Sequence, residues 1–207
     1  MSWVDEPYVV LDVETSGFSH SSRILEIAAV TFARGEITRT FSQLLCPSGL
    51  DWEDEHLLKA LESNHLTHEM LQDKPVFAEI LPDLMSSLVC PVWVAHNLEF
   101  DLRMLRAEFE RLDRQLVAPP LQICTMSLGS FLNTTDEGNG LEKVAARFQV
   151  AQPSAHRAEV DATVCGRILA AMIERCRLPT DDLAMADLCR KAVAHWRSHR
   201  RTQRSRS

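Results

Sequence analysis

Tyr8-Val9-Val10-Leu11-Asp12-Val13-Glu14-Thr15-Ser16-Gly17 is a hydrophobic stretch that ends in two carboxylates and a small-residue turn. Side chains along a strand alternate between faces, so Asp12 and Glu14, two apart, share one face and are able to hold one ion. The four residues before Asp12 are large, and three of them are β-branched or aromatic, which suits a strand covered on both faces. Two acids at the mouth of a buried strand are costly unless a cation neutralises them. Taken alone, Asp-x-Glu beside a Ser-Gly turn is also what solvated acids in a strand-end loop look like. The pair carries weight only if the chain supplies more acids.

Outward from this strand, 17–22 reads as a loop and 23–32 as a long strand with Ile24, Ile27 and Val30. Arg34-Gly35-Glu36 is a tight-turn signal, and 37–45 has the β-branched and aromatic character of a third strand, giving an antiparallel meander. Helical pattern takes over in pieces between 53 and 88. Thr67 is a candidate N-cap, Pro75 a helix opener, and Pro82 a residue that bends or ends the helix carrying Phe77, Ile80, Leu81, Leu84 and Leu88. A short buried strand at 91–95 leads into an amphipathic helix over 98–116, and strand 121–124 into a helix over 125–132. After a polar loop at 133–140 come helices at 141–148 and 158–176, the second stopped by Pro179. Three antiparallel strands followed by strands alternating with helices indicate an α/β layer, a mixed sheet with helices on its faces.

The 207 residues suit one domain with a sizeable core, and the 45% hydrophobic and 25% charged content is that of a soluble globular protein. Residues 1–7 contain Asp5 and Glu6 and lack the basic start of a secretory signal, and no apolar run is long enough to span a bilayer, so a cytoplasmic, membrane-free protein is expected. Six scattered cysteines without a Cys-x-x-Cys pair agree with that compartment and read as small buried hydrophobes. Charge is unevenly spread: 190–207 holds seven Lys or Arg and no acid, leaving 15 basic against 29 acidic residues in 1–189. Such a body is a poor grip for long duplex nucleic acid, whose affinity comes from neutralised phosphates.

Two further stretches supply acids. In Val94-Ala95-His96-Asn97-Leu98-Glu99-Phe100-Asp101 a buried strand delivers a polar turn and a helix start, with Asp101 in the first helical turn, where it also serves simply to stabilise its helix. In His156-Arg157-Ala158-Glu159-Val160-Asp161-Ala162, five helical steps amount to about 500°, so His156 and Asp161 do not share a helix face. That puts His156 on the preceding loop, from which it swings over Asp161 or sits as an ordinary surface histidine. Asp161 lies among core-facing positions, where an unpaired acid is expensive.

In this order, Asp-x-Glu-Thr-x-Gly at 12–17, His-Asn-x-x-Phe-Asp at 96–101 and His-Arg-Ala-x-x-Asp-Ala at 156–162 resemble the three motifs of the DnaQ-like (DEDDh) 3′→5′ exonucleases, the group that contains the proofreading epsilon subunit of bacterial replicative polymerases. The similarity runs from about 8 to 176 and includes Glu26-Ile27-Ala28-Ala29-Val30 and Asp73-Lys74-Pro75-Val76-Phe77. It implies a ribonuclease H-like fold, a five-stranded mixed sheet of three antiparallel and then two parallel strands flanked by helices, with an exonuclease domain over 1–177. Asp12, Glu14, Asp101 and Asp161 would surround two divalent cations, Mg²⁺ or Mn²⁺, with Asp12 bridging, and His156 would take the general-base position. Thr15, Ser16 and Gly17 would let backbone approach the 3′-terminal nucleotide and Phe18 would stack on or wedge against a base, whereas Asn97 is a substrate contact or a turn cap.

The expected reaction is release of nucleoside 5′-monophosphates from DNA 3′ ends, single-stranded or frayed, free or as a proofreading factor with a DNA polymerase. An RNA 3′-trimming enzyme is the alternative within the family, and a non-catalytic binding module the alternative outside it. The chain departs from the proofreading subunits at Asn64-His65-Leu66, where they carry His-Gly, and no Gln-x-x-Leu-Phe-like clamp peptide follows Pro179. Residues 178–207 read as a helix capped by Thr180 and running through Trp196, then a disordered basic tail that either attracts phosphate or is merely solvated.

Overall fold

The computed structural model describes residues 2–132, 138–153 and 157–204, with side chains through 199. Strand β1 (Tyr8–Thr15) pairs antiparallel with β2 (Ile24–Ala33), which pairs antiparallel with β3 (Glu36–Leu44). On the other side β1 pairs parallel with β4 (Val92–Ala95), and β4 with β5 (Leu121–Cys124), giving the order β3-β2-β1-β4-β5. The mixed five-stranded sheet is as expected, and β1 at its centre is buried along its first four residues.

Helices cover both faces. Helices α1 (Glu55–Ser63), α2 (His68–Leu71), α3 (Phe77–Ser87) and α4 (Leu98–Glu110) precede α5 (Thr125–Leu132), α6 (Leu141–Arg147), α7 (Ala158–Cys176) and α8 (Asp182–Arg204). Val9, Leu11 and Val13 of β1 pack with Leu81 and Leu84 of α3 and Leu102 and Leu105 of α4. Tyr8 and Val10 pack on the opposite face with Ala162, Cys165 and Leu169 of α7. Because the strand alternates, Asp12 and Glu14 continue the Tyr8–Val10 row and fall on the α7 face.

α7 lies close on the sheet because Gly166 faces Phe32: a Cβ there would come within 2.3 Å of the ring, which is itself stacked on Tyr8 with centroids 5.5 Å apart. The absence of that one carbon sets the helix-to-sheet spacing, and with it the depth of Asp161.

Two boundaries, the end of α4 and the reach of α8, differ from expectation. α4 stops at Glu110 rather than 116, where Arg114 N–H turns back to the Phe109 carbonyl and Asp113 takes a left-handed φ of +54°. Pro82 lies inside α3 without ending it. α8 is capped by Asp181, whose Oδ1 accepts from Ala184 N–H at 2.9 Å, and it runs past Trp196 to Arg204, whereas 197–207 reads from sequence as disordered. Arg and Gln are good helix formers, so the basic composition does not by itself end the helix. All six cysteines are free, and among the described residues no helix is long and apolar enough to cross a membrane.

Candidate active site

The carboxyl end of β1 delivers Asp12 and Glu14 to one face, and α7 lays Asp161 over them: one carboxylate oxygen from each lies within 4.8 Å of the others. Asp161 is buried and also accepts from Gln152 Nε2 at 3.5 Å. Asp101 comes from the other side of the sheet, in the first turn of α4, and is buried. Its Oδ2 is buried and has no hydrogen-bond partner among the described residues.

Four carboxylates brought close to one another and largely buried raise one another's affinity for protons. Burial first, then the charges of Asp101, Glu14, Asp161 and Glu26, pushes Asp12 well above the usual carboxylate range. Glu14 is pushed up to about 8 by burial and the charge of Asp161, with Arg157 pulling the other way. Asp101 is likewise pushed up to about 8, chiefly by burial, against hydrogen bonds from backbone that include Val13. Mutual repulsion plus an orphaned buried oxygen describes a set of hard oxygen donors that a divalent cation satisfies. The donor set fits the ions expected from the sequence.

A fifth acid, Glu26, lies directly across from Glu14 in the β1–β2 ladder and is 1% exposed. It is already neutralised: Arg157 donates to it from Nε at 3.1 and 3.2 Å and from Nη2 at 2.9 Å, and Ala158 N–H donates to it at 3.3 Å. The N-cap of α7, Arg157, makes no side-chain cap bond, so a β2 carboxylate supplies the cap from outside the helix. Glu26 therefore fixes the first turn of α7, which carries Asp161. The visible signal is an acid inside the otherwise apolar Ile24-Leu25-Glu26-Ile27 run, though its partner Arg157 is not legible from it. His156, next to Arg157, lies outside the described residues.

The loop after β1 is tied down by hydrogen bonds. Thr15 Oγ1 donates to the Gly17 carbonyl at 2.7 Å, Arg23 N–H donates to Ser16 Oγ at 2.9 Å, and a Cβ on Gly17 (φ +154°) would meet Ser22 Oγ at 3.0 Å. Arg23 binds buried Glu108 through Nε and Nη2 at 2.8 and 3.1 Å, and Arg111 donates to the His20 and Ser22 carbonyls, clamping the loop to α4. Phe18 at its tip is 84% exposed, 5.9 Å from the Phe100 ring, over which Arg103 lies at 5.2 Å. A cavity of about 460 Å³ opens beside it, between Ser16, Gly17, Phe18, Leu50, His56 and Leu57.

Other motif residues also shape the backbone around the site. Asn97 takes the left-handed conformation (φ +78°) and makes no side-chain cap bond, so its part in the turn is a backbone one. His96 is tied to Thr125 Oγ1 and the Asn139 carbonyl, both at 2.9 Å, and burial holds its pKa down at about 4. Where a glycine is missing, His65 adopts φ +53°, and neighbouring Asn64 donates to the Thr15 carbonyl at 3.1 Å, so the turn is kept at the cost of a strained residue.

An exonuclease family model matches residues 9–169. The chain is 34% identical over 168 residues to the DNA polymerase III subunit epsilon of Treponema pallidum, covering 80% of this chain and 76% of that one. It is 32% identical to the PolC-type DNA polymerase III of Halalkalibacterium halodurans, but spans only 12% of that protein's length. Its fold matches Exonuclease X in complex with 5′ overhanging duplex DNA (TM-score 0.66, 24% identity, 88% of this chain and 99% of that chain). It also matches E. coli Exonuclease I in complex with a dA16 oligonucleotide (TM-score 0.69, 15% identity, 82% and 41%).

Proposed function

The chain belongs to the DnaQ-like 3′→5′ exonuclease family, and we propose that it removes nucleoside 5′-monophosphates from the 3′ ends of single-stranded or frayed DNA in the cytoplasm, in proofreading or repair. The observation that carries this reading is the convergence of Asp12, Glu14 and Asp161 on one point beside the unsatisfied Oδ2 of buried Asp101.

In this reading Asp12, Glu14, Asp101 and Asp161 would hold two divalent cations, Mg²⁺ or Mn²⁺. When bound, such ions supply positive charge to the phosphoryl oxygens and acidify water. Asp12 and Glu14 would keep that positive charge at the carboxyl end of β1, where the scissile phosphate has to lie. His156 accepts the proton of the attacking water; its oxygen forms the new bond to phosphorus as the bond to the 3′-oxygen breaks, and that oxygen leaves with a proton from solvent. The Thr15–Gly17 turn, held by its own hydrogen bonds, seats the terminal nucleotide, Asn97 contacts it from the start of α4, and exposed Phe18 stacks on a base. The names of the two relatives make a DNA polymerase the first protein partner to test.

The test uses matched 5′-labelled DNA and RNA oligomers with Mg²⁺ and with chelator. Stepwise shortening from the 3′ end, faster on DNA and abolished by chelator or by Asp12→Ala, is expected, with His156→Ala lowering turnover by about 10²–10⁴-fold. Faster loss of RNA overturns the substrate assignment, and chelator-resistant shortening overturns the centre.

A further inference from the structure

Helix α8 has its charge sorted along its length. Met185, Cys189 and Ala192 bury its inner face in the core, and Arg190 and Lys191 pair with Asp187 of the same helix. From Arg190 onward the sequence has no acid at all, whereas Arg197, Arg200, Arg201 and Arg204 follow within two turns.

Its course brings Arg197 to the catalytic end of the sheet. α8 begins beside the start of β1, where Trp3 N–H donates to the Thr180 carbonyl at 3.2 Å and Ser2 bridges Asp181. It then runs along β5 in the strand's own direction. Ala186 and Cys189 lie by Leu121, whereas Val193 and Trp196 lie by Cys124 and Ser127, at the end where β4 hands over to α4. There Arg197 Nη2 meets Glu99 Oε2 at 3.2 Å, two residues before Asp101. Both side chains are well exposed, 60% and 77%, so this ion pair is weak and exchangeable for a phosphate. At 1.5 Å per residue the helix continues about 10 Å past Arg197. A cavity of about 330 Å³ lies between α4, α5 and α8, with Asn97, Arg106, Trp196 and Arg197 on its wall.

We propose that the C-terminal turns of α8 are a phosphate-binding arm that receives the single strand leading into the catalytic centre. The proposal rests on the exonuclease reading above and adds to it where the rest of the strand goes. Charge complementarity carries it: with 15 basic against 29 acidic residues in 1–189, the body repels a polyanion, and the one acid-free basic segment stands beside the first turn of α4. Trp196 and the guanidinium of Arg106 give the groove the mixture of stacking surface and cation that single strands use.

The full chain is compared with a variant carrying Arg197→Gln, Arg200→Gln, Arg201→Gln and Arg204→Gln, and with one carrying Lys at the same four positions. Two probes separate the arm from the centre: thymidine 5′-p-nitrophenyl phosphate, which reaches only the centre, and a long oligo-dT. The arm predicts unchanged ester hydrolysis in both variants. On oligo-dT, the Gln variant alone shows KM raised about tenfold or more, with kcat retained and the slope of log KM against log salt shallower by up to about 3. A Gln variant with the parent's KM and salt slope on oligo-dT overturns the proposal, as does one that loses ester and oligo-dT hydrolysis in step. A parent that hydrolyses neither probe contradicts the exonuclease reading instead.

Discussion

Asp101 and Glu14, each held at about 8 when no cation is present, make the stability of the metal-free chain depend on pH. Their folded values lie above the ordinary carboxylate range, so between about pH 4 and 8 the folded chain keeps protons that the unfolded chain has released, and stability falls as pH rises through that window. His96, held at about 4, pulls the other way, its contribution being lost as pH falls from about 6.5 toward 4. The clean window is therefore about 6.5 to 8. Thermal denaturation in chelator should show Tm falling across it, and excess Mg²⁺ should flatten or reverse the slope. A flat chelator profile would mean that these acids do not repel one another as described. At the same scale, Glu26→Ala leaves α7 without its cap and Arg157 without its partner; the expected loss is about 3 kcal/mol in denaturant unfolding, with a fall in kcat through misplacement of Asp161. Parent-like stability would show that another group caps α7.

The helix that carries Asp161 reaches its depth through Gly166. Gly166→Ala puts a methyl group against Phe32, a ring that is 1% exposed and stacked on Tyr8, so α7 or the ring must move; a loss of about 1–3 kcal/mol is expected. Activity should fall beyond what the lost stability explains, read as reduced kcat at a temperature where the variant is fully folded. An unchanged kcat would separate the helix-to-sheet spacing from the position of Asp161. At this level the sequence is legible where period and punctuation agree: β1, β4, β5, α5 and α7 follow their apolar patterns. The end of α4 is not, because Leu112 and Leu116 continue its apolar spacing while the backbone at Asp113 has already turned. Nor is the reach of α8, since basic composition says little about helix ends.

Across the whole molecule, the sheet order and the gathering of distant acids were readable because two motifs fall at the carboxyl ends of the parallel neighbours β1 and β4, and the third opens α7, which packs on β1. What stayed hidden is what supports them. Neither the cap that Glu26 gives α7 nor the clamp of Glu108 on Arg23 has a local signature, because each joins residues 85 or more apart in the chain. Within the second motif, His96 is a buried tie and Asn97 takes a left-handed backbone, both in the same hexapeptide as Asp101. The acidic centre, gathered from residues 12 to 161, and Arg197 of α8, paired with Glu99 at the start of α4, lie toward the same end of the fold.

The central claim is that four carboxylates from three separate stretches form a two-cation centre. Anomalous diffraction from crystals of the chain soaked in Mn²⁺ tests it most directly. Two peaks about 4 Å apart are expected between Asp12, Glu14, Asp101 and Asp161, with Asp12 touching both, and both should vanish in Asp12→Ala. Peaks away from these carboxylates, or none at a Mn²⁺ concentration that supports turnover, would contradict it.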